Sequence, residues 1–171
     1  LINKHCKDCE IWESKDFIYT IGHIPKGSKV LSSLWFIHGD IYAADENVYL
    51  DLKDSVSNLL KNSNDLDFSP TNEIGRINDV DPLKITKLRV RGMWLLQPPY
   101  KAFDYIHEYD NSAKFQVITI LSKEKYLSYP EKSRLNIENN NTILIKDIKV
   151  KNPNNPVNLI EAKLITFKLR D

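Results

Sequence analysis

The stretch from Phe17 to Leu52, FIYTIGHIPKGSKVLSSLWFIHGDIYAADENVYLDL, constrains the fold more than any other part of the chain. Phe17 to Ile21 has the β-branched and aromatic content of a strand. Pro25 fixes φ for the first corner of a turn, and Gly27 takes the position where type I turns favour glycine. Val30 to His38 returns as the partner strand. Its unbroken Leu34-Trp35-Phe36-Ile37 run predicts burial on both faces. After Gly39-Asp40 and a polar connection over 43–47, Val48-Tyr49-Leu50-Asp51-Leu52 alternates as a third strand. Three strands joined with so few spare residues predict an antiparallel β-protein.

The remainder repeats the theme. Leu52, Val56, Leu59 and Leu60 recur at helical spacing, so one short amphipathic helix is expected within Asp51–Lys61. Residues 62–82 are rich in Asn, Asp and Ser and read as a long loop, with a short extended piece at 73–77. Ile85 to Leu96 brings back strand character with a wet face of Thr86, Lys87, Arg89 and Arg91, and Gly92 suggests a bulge. Gln97-Pro98-Pro99 ends it. Phe115–Leu121, Ile143–Val150 and Leu159–Leu169 are further strands, separated by a loop over 126–141 and a Pro/Asn connection over 152–156. No βαβ alternation is visible. The fold class predicted is all-β, an antiparallel β-sandwich or jelly roll with one short helix. Residues 1–16 form an N-terminal extension and 17–171 a single domain, whose core includes Val30, Leu34, Ile120, Leu164 and Phe167. The long Leu159–Leu169 strand would be a hazard at an exposed edge, so it must be central in its sheet or paired with a neighbouring subunit.

Charge bears on partners. With 24 Lys and Arg against 23 Asp and Glu, the formal charge is +1, and Lys alternates with acids along most segments. A binder of duplex nucleic acid is expected to show a basic excess or stripe, so no nucleic-acid partner is predicted. No apolar run approaches the ~20 residues needed to span a bilayer. Leu1-Ile2-Asn3-Lys4 is not a signal peptide, which leaves a mature or trimmed product open.

The catalytic constellations are thin. Cys6 and Cys9 form a Cys-x-x-Cys pair beside His5, but structural zinc generally needs four ligands and there is no second pair. With no strand before it, the pair also lacks a redox setting, and plain thiols or a local disulfide are expected. Ser32, Ser33, His38 and Asp40 make a paper triad only, because alternation sends neighbours to opposite faces. His107-Glu108-Tyr109-Asp110 gathers potential ligands but reads as a polar tip before the next strand. Asn62, Asn64, Asp65 and Asp67 lack the glycine and terminal glutamate of a calcium loop. No catalytic residue, metal site or cofactor is predicted. Trp94, Tyr100, Phe103 and Tyr105, set around Pro98-Pro99, form an aromatic rim suited to a partner surface or a stacked sugar.

The segment Tyr19-Thr20-Ile21-Gly22-His23-Ile24-Pro25-Lys26-Gly27-Ser28-Lys29-Val30-Leu31, with Tyr49-Leu50-Asp51-Leu52 downstream, resembles small tailed-phage virion proteins of the head-decoration and head-fibre kind. Their shared pattern is a strand, an I-P-x-G-x-x-V turn and a second strand. This chain departs from it with Trp35-Phe36 and with Asp51 where glycine is more usual. The resemblance implies a non-enzymatic structural component of a virion, working as a homo-oligomer or with other virion proteins. The alternative expectation is a secreted or cell-surface β-sandwich that binds carbohydrate or a protein partner through the aromatic rim.

Overall fold

A computed structural model of the protein describes residues 18–44, 46–63, 67–69, 75–90 and 96–170. The elements are β1 (Ile18–His23), β2 (Ser33–His38), α1 (Glu46–Lys61), β3 (Asp67–Ser69), β4 (Gly75–Asn78), β5 (Leu88–Val90), α2 (Pro99–Ala102), β6 (Phe115–Ser122), α3 (Lys123–Ser128), α4 (Glu131–Glu138), β7 (Ile143–Lys151) and β8 (Leu159–Leu169). Two 3-10 turns cover Gly39–Ile41 and Asp104–Ile106. The described residues fall into two units, one within 45–95 and one made of 18–44 together with 96–170.

The larger unit is built on a five-stranded sheet of order β1-β2-β6-β8-β7. β1–β2, β6–β8 and β7–β8 are antiparallel, but β2 and β6 run parallel, with Trp35 beside Ile118 and Ile37 beside Ile120. Side chains alternate between faces along a strand. One face therefore gathers Trp35, Ile37, Ile118, Ile120, Val150, Ala162 and Leu164, none more than 2% exposed. Each large aliphatic buried this way contributes roughly 1.5–3 kcal/mol relative to exposure. Ile41, Tyr42 and Phe103 are buried over this face, with Tyr100, Tyr105 and Ile106 packed at its margin. On the other face, α3 places Tyr126 at 2% exposure. A groove of about 370 Å³ lies there, lined by Phe36, Val117, Ile165 and Phe167 of the sheet and Ile137 of α4.

The β1–β2 connection turns where expected but in a different register. The Ser28 amide donates to the Pro25 carbonyl at 2.9 Å, so Gly27 is the third residue of the turn rather than the fourth. Its φ of 84° is the left-handed value that a type II turn demands there. At Gly22 a Cβ would come within 2.8 Å of Leu31 Cδ1, so the hairpin closes against a residue with no side chain. Val30, expected in the core, lies in this connection and is 69% exposed.

The smaller unit holds α1 and an antiparallel sheet of order β3-β4-β5. Ile77, 8% exposed, stands opposite Phe68 on one side and Leu88 on the other. β4 and β5 thus form a hairpin closed by the loop over 79–87, with β3 on the other edge of β4.

The expected all-β sandwich or jelly roll is corrected to a mixed α/β architecture, for three physical reasons. Val48, Leu50 and Leu52 alternate as a strand would, yet they lie inside α1. Leu50, Val56 and Leu60 are its half-buried side, while Leu52 and Leu59 are 53% and 73% exposed. The supposed loop over 126–141 holds the second half of α3 and all of α4, short helices of mostly polar sequence that carry little apolar periodicity. The parallel β2–β6 pairing joins strands that the whole smaller unit separates in sequence, which no local pattern can signal. β8 does lie centrally, between β6 and β7. Residues 1–16, with Cys6 and Cys9, and Trp94 lie outside the described residues.

Candidate functional site

Two neighbouring strands of the larger sheet carry the same acid-x-lysine pattern, Asp147-x-Lys149 on β7 and Glu161-x-Lys163 on β8. Their register sets Asp147 opposite Lys163 and Lys149 opposite Glu161. Residues two apart share a face, so all four project from one side of the sheet. The carboxylates occupy a diagonal of the ladder, positions roughly 7–8 Å apart. Lys163 Nζ approaches the two oxygens of Asp147 at 2.9 and 3.0 Å. Lys123, the first residue of α3, reaches across to Glu161 Oε2 at 2.9 Å. The Ser122 hydroxyl fixes that helix start by accepting from the Lys125 amide at 3.2 Å.

The hydrogen bond from Lys123 holds the Glu161 carboxyl below the ordinary carboxylate range, and the same contact raises the lysine. Asp147 and Glu161 are 69% and 62% exposed, whereas Lys163 is 19% exposed and lies 5.6 Å from the Tyr126 ring centroid. Lys123, Asp147, Lys149 and Glu161 line an open pocket of about 190 Å³. Two ionised carboxylates and three ammonium groups thus meet at one accessible place, an arrangement able to hold a hard cation and an anionic substrate together.

A second cleft, of about 540 Å³, opens at the end of the sheet where β1 finishes and β2 begins. The His23 and Tyr100 rings lie 4.5 Å apart, and the Tyr109 hydroxyl is 3.1 Å from His23 Nδ1. Its rim is held by Asp110, whose carboxyl is lowered to about 2, chiefly by the Ser112 hydroxyl and then by the Ser112 amide. The fully buried Gln116 pins the same residue from behind: its Nε2 donates to the Asp110 carbonyl at 2.8 Å, and its Oε1 accepts from the Asp110 amide at 3.1 Å.

Of the aromatic rim, Tyr100 lines this cleft, Phe103 is 5% exposed within the core, and the Tyr105 hydroxyl accepts from the Lys151 amide at 3.1 Å. Glu108 pairs with Lys146, while His38 Nδ1 meets the Ser122 hydroxyl at 3.0 Å rather than Ser32 or Ser33. Among the described residues no three of His, Cys, Asp and Glu converge on a point. Sequence reasoning passed over Asp147, Glu161, Lys163 and Lys123. The repeated acid-x-lysine in two strands was the available signal, but it points to a site only once the register is known.

Residues 1–151 match a family model described as the NgoPII restriction endonuclease. Over 169 residues the chain is 40% identical to the type II restriction enzyme NgoPII of Neisseria gonorrhoeae, covering 99% of this chain and 60% of that protein. The chain thus spans about 60% of the length of that relative. No solved structure matches it.

These matches overturn the phage head-decoration resemblance, which rested on a turn motif common among β-proteins. They equally remove the structural virion role, the secreted or surface carbohydrate-binding alternative, the placement in a virion or at a cell surface, and the reading of the protein as a non-enzyme. The exclusion of nucleic acid also falls. A net charge of +1 averages over the chain and hides where cations gather.

Proposed function

Because this chain belongs to the NgoPII restriction endonuclease family, we propose that it acts on double-stranded DNA as part of a type II restriction enzyme, and that Asp147, Glu161 and Lys163 are groups it brings to the scissile phosphodiester. The observation supporting this assignment is the diagonal of two exposed carboxylates on adjacent strands, each with a lysine nitrogen against it. Phosphodiester hydrolysis commonly recruits a hard divalent cation, and Mg²⁺ is typically held by one or two carboxylates, with water and substrate phosphate completing its shell. The donor set fits: it is oxygen only, ionised and open to substrate. Asp147 and Glu161 would hold the ion, whose contribution is to polarise the phosphoryl oxygen and offset developing charge. Lys163, anchored beside Tyr126, presents a fixed ammonium for a phosphate oxygen. Lys123 keeps Glu161 ionised. Tyr100 is the aromatic we propose for contact with DNA, because its ring opens on the His23 cleft.

The ion pairs that already engage both carboxylates favour a second reading. In it one ion pair braces β7 against β8 and the other α3 against β8, this chain serves DNA recognition, and the hydrolytic groups stand elsewhere in a longer protein. Glu161→Gln and Asp147→Asn decide between them. The first reading expects cleavage of duplex DNA to fall by roughly 10²-fold or more, with duplex binding retained and with the rise in Tm on adding Mg²⁺ abolished. Cleavage within a few-fold of the parent in both variants selects the second.

A further inference from the structure

The cleft where β1 finishes and β2 begins holds chemistry that the proposed reaction at Asp147 and Glu161 does not use. Three rings line it: His23 and Tyr100 lie 4.5 Å apart between centroids, Tyr100 and Tyr109 5.7 Å, and His23 and Tyr109 6.1 Å. The buried Trp35 stacks against Tyr109 at 6.2 Å, which anchors this wall on the core. All three rings are half-buried, whereas Tyr42 and Phe103 are closed into the core. His23 Nδ1 is held by the Tyr109 and Ser32 hydroxyls at 3.1 and 3.3 Å. Among the described residues neither His23 Nε2 nor the Tyr100 hydroxyl makes a hydrogen bond. Aromatic surface left open in a concave place, with polar atoms to spare, suits a small ligand.

The rim of the cleft is cationic. Residues 18–39 carry Lys26 and Lys29 with no acidic residue among them, and neither lysine makes an ion pair among the described residues. Lys26 lines the cleft from a turn whose backbone is pinned at three points. The Ser28 amide donates to the Pro25 carbonyl at 2.9 Å, the Val30 amide to the Ser28 hydroxyl at 3.0 Å, and the Ser32 amide to the His23 carbonyl at 2.9 Å. Asp110 is the carboxylate among the lining residues, and it is already engaged. Arg170 meets it at 3.2 Å, and the Ser112 amide and hydroxyl donate to it at 2.9 and 2.6 Å. The charge left for a ligand is positive.

We infer that this cleft receives one nucleotide unstacked from DNA, its base against the His23, Tyr100 and Tyr109 rings and its phosphate at Lys26. The inference rests on the reading of the protein as one that acts on DNA, and it deepens the contact assigned to Tyr100. The volume of about 540 Å³ lies within the roughly 300–1,000 Å³ usual for small-ligand clefts. A base inside the duplex shows only its edges, so rings in a cleft reach its flat face only once it has left the stack. The pairing of an aromatic wall with a cation matches the two ends of a nucleotide, whereas a neutral sugar would leave Lys26 without a role. The Tyr100 hydroxyl and His23 Nε2 are polar groups able to meet the edge of the base.

The test is NMR titration of the ¹⁵N-labelled full chain with the four deoxynucleoside 5′-monophosphates, the matching nucleosides and inorganic phosphate. The monophosphates should give saturable amide shifts centred on 23–32 and 100–113, and the nucleosides weaker shifts at the same place. Tyr100→Ala should weaken monophosphate binding by roughly 5–150-fold, the worth of one base stacked on an aromatic ring. Lys26→Gln, at an exposed turn position, should bring the monophosphate affinity down to that of the nucleoside. A duplex with one bulged nucleotide should bind more tightly than the fully paired duplex, because extrusion costs least at an unpaired base, and Tyr100→Ala should erase that preference. No shift with any monophosphate at millimolar concentration, or the same shifts with inorganic phosphate alone, overturns the cleft assignment. The reading of the protein as one that acts on DNA then still stands or falls on Glu161→Gln and Asp147→Asn. Monophosphate binding without a preference for the bulged duplex overturns DNA as the source of the nucleotide. Should Tyr100→Ala melt well below the parent, Lys26→Gln decides alone, and an unchanged monophosphate affinity there overturns the proposal.

Discussion

Replacing Gln116 with Met tests how the turn beneath the His23 cleft is held. Gln116 is fully buried on β6, and its side-chain amide closes a reciprocal pair with the backbone of Asp110. Met keeps the length of the side chain and removes both partners. The Asp110 amide is then left without a protein partner, at about 1–3 kcal/mol, while its carbonyl keeps only the longer bond from the Ala113 amide at 3.4 Å, a loss of about 1 kcal/mol. Removing a buried amide returns part of that loss, about 1–3 kcal/mol on mutational scales. The net expectation is a destabilisation of about 1–2 kcal/mol. At roughly 2–4 °C per kcal/mol for a chain of this size, Tm should fall by about 2–8 °C. Urea unfolding followed by tryptophan emission gives the free energy, since Trp35 is buried in the same sheet. Hydrogen exchange over 105–116 gives the location, with the Asp110 amide expected to lose protection. A loss below about 1 kcal/mol with protection intact would show that Ser112 and Arg170 hold the turn without Gln116, and the reasoning would fail.

Two further outcomes follow from the same unit. Ile120→Ala removes a fully buried side chain flanked by β2 and β8 and should cost about 2–5 kcal/mol in urea melts, against about 0.5–1.5 for Ile120→Val. A smaller alanine cost would place the packing centre elsewhere. Asp110, held at about 2 mainly by the Ser112 hydroxyl, contributes stability that is present above its ordinary value near 4 and is lost as pH falls through about 2. The Tm advantage of the parent over Asp110→Asn should therefore be constant from about pH 5 to 7 and shrink from about pH 4 downward. A difference that grows on acidification would contradict it.

How much of this was legible in the sequence depended on what kind of interaction fixed each element. Leu159–Leu169 is a long run rich in β-formers that follows an Asn- and Pro-rich connection, and its ends stand where the residues put them. Helix α1 was found too late in the chain because three alternating apolar residues at its start also satisfy a strand period. α3 and α4 are short, and their few apolar residues pack on the sheet without a repeating stripe. Parallel pairing of β2 with β6 is a long-range fact. The acid and lysine pair was visible as spacing on β7 and β8, but its meaning lies in the register between them. The expectation of no nucleic-acid partner came from averaging: Glu46, Asp51 and Asp54 of α1 offset the cations of 84–91 in any sum over the smaller unit.

The order of strands in the larger sheet sets the sequence of events on a ribosome. β2 leaves the exit tunnel early, but its parallel neighbour β6 follows only after the whole of the smaller unit has been made. β7 emerges before β8, yet its ladder partner is β8, which also joins it to β6. The intervening unit consequently has time to fold while the hairpin of β1 and β2 waits with one side bare. Chain closure between such distant partners is slow. Slow codons or low temperature should widen that window, and the nascent hairpin, rather than the finished protein, is then where aggregation would begin.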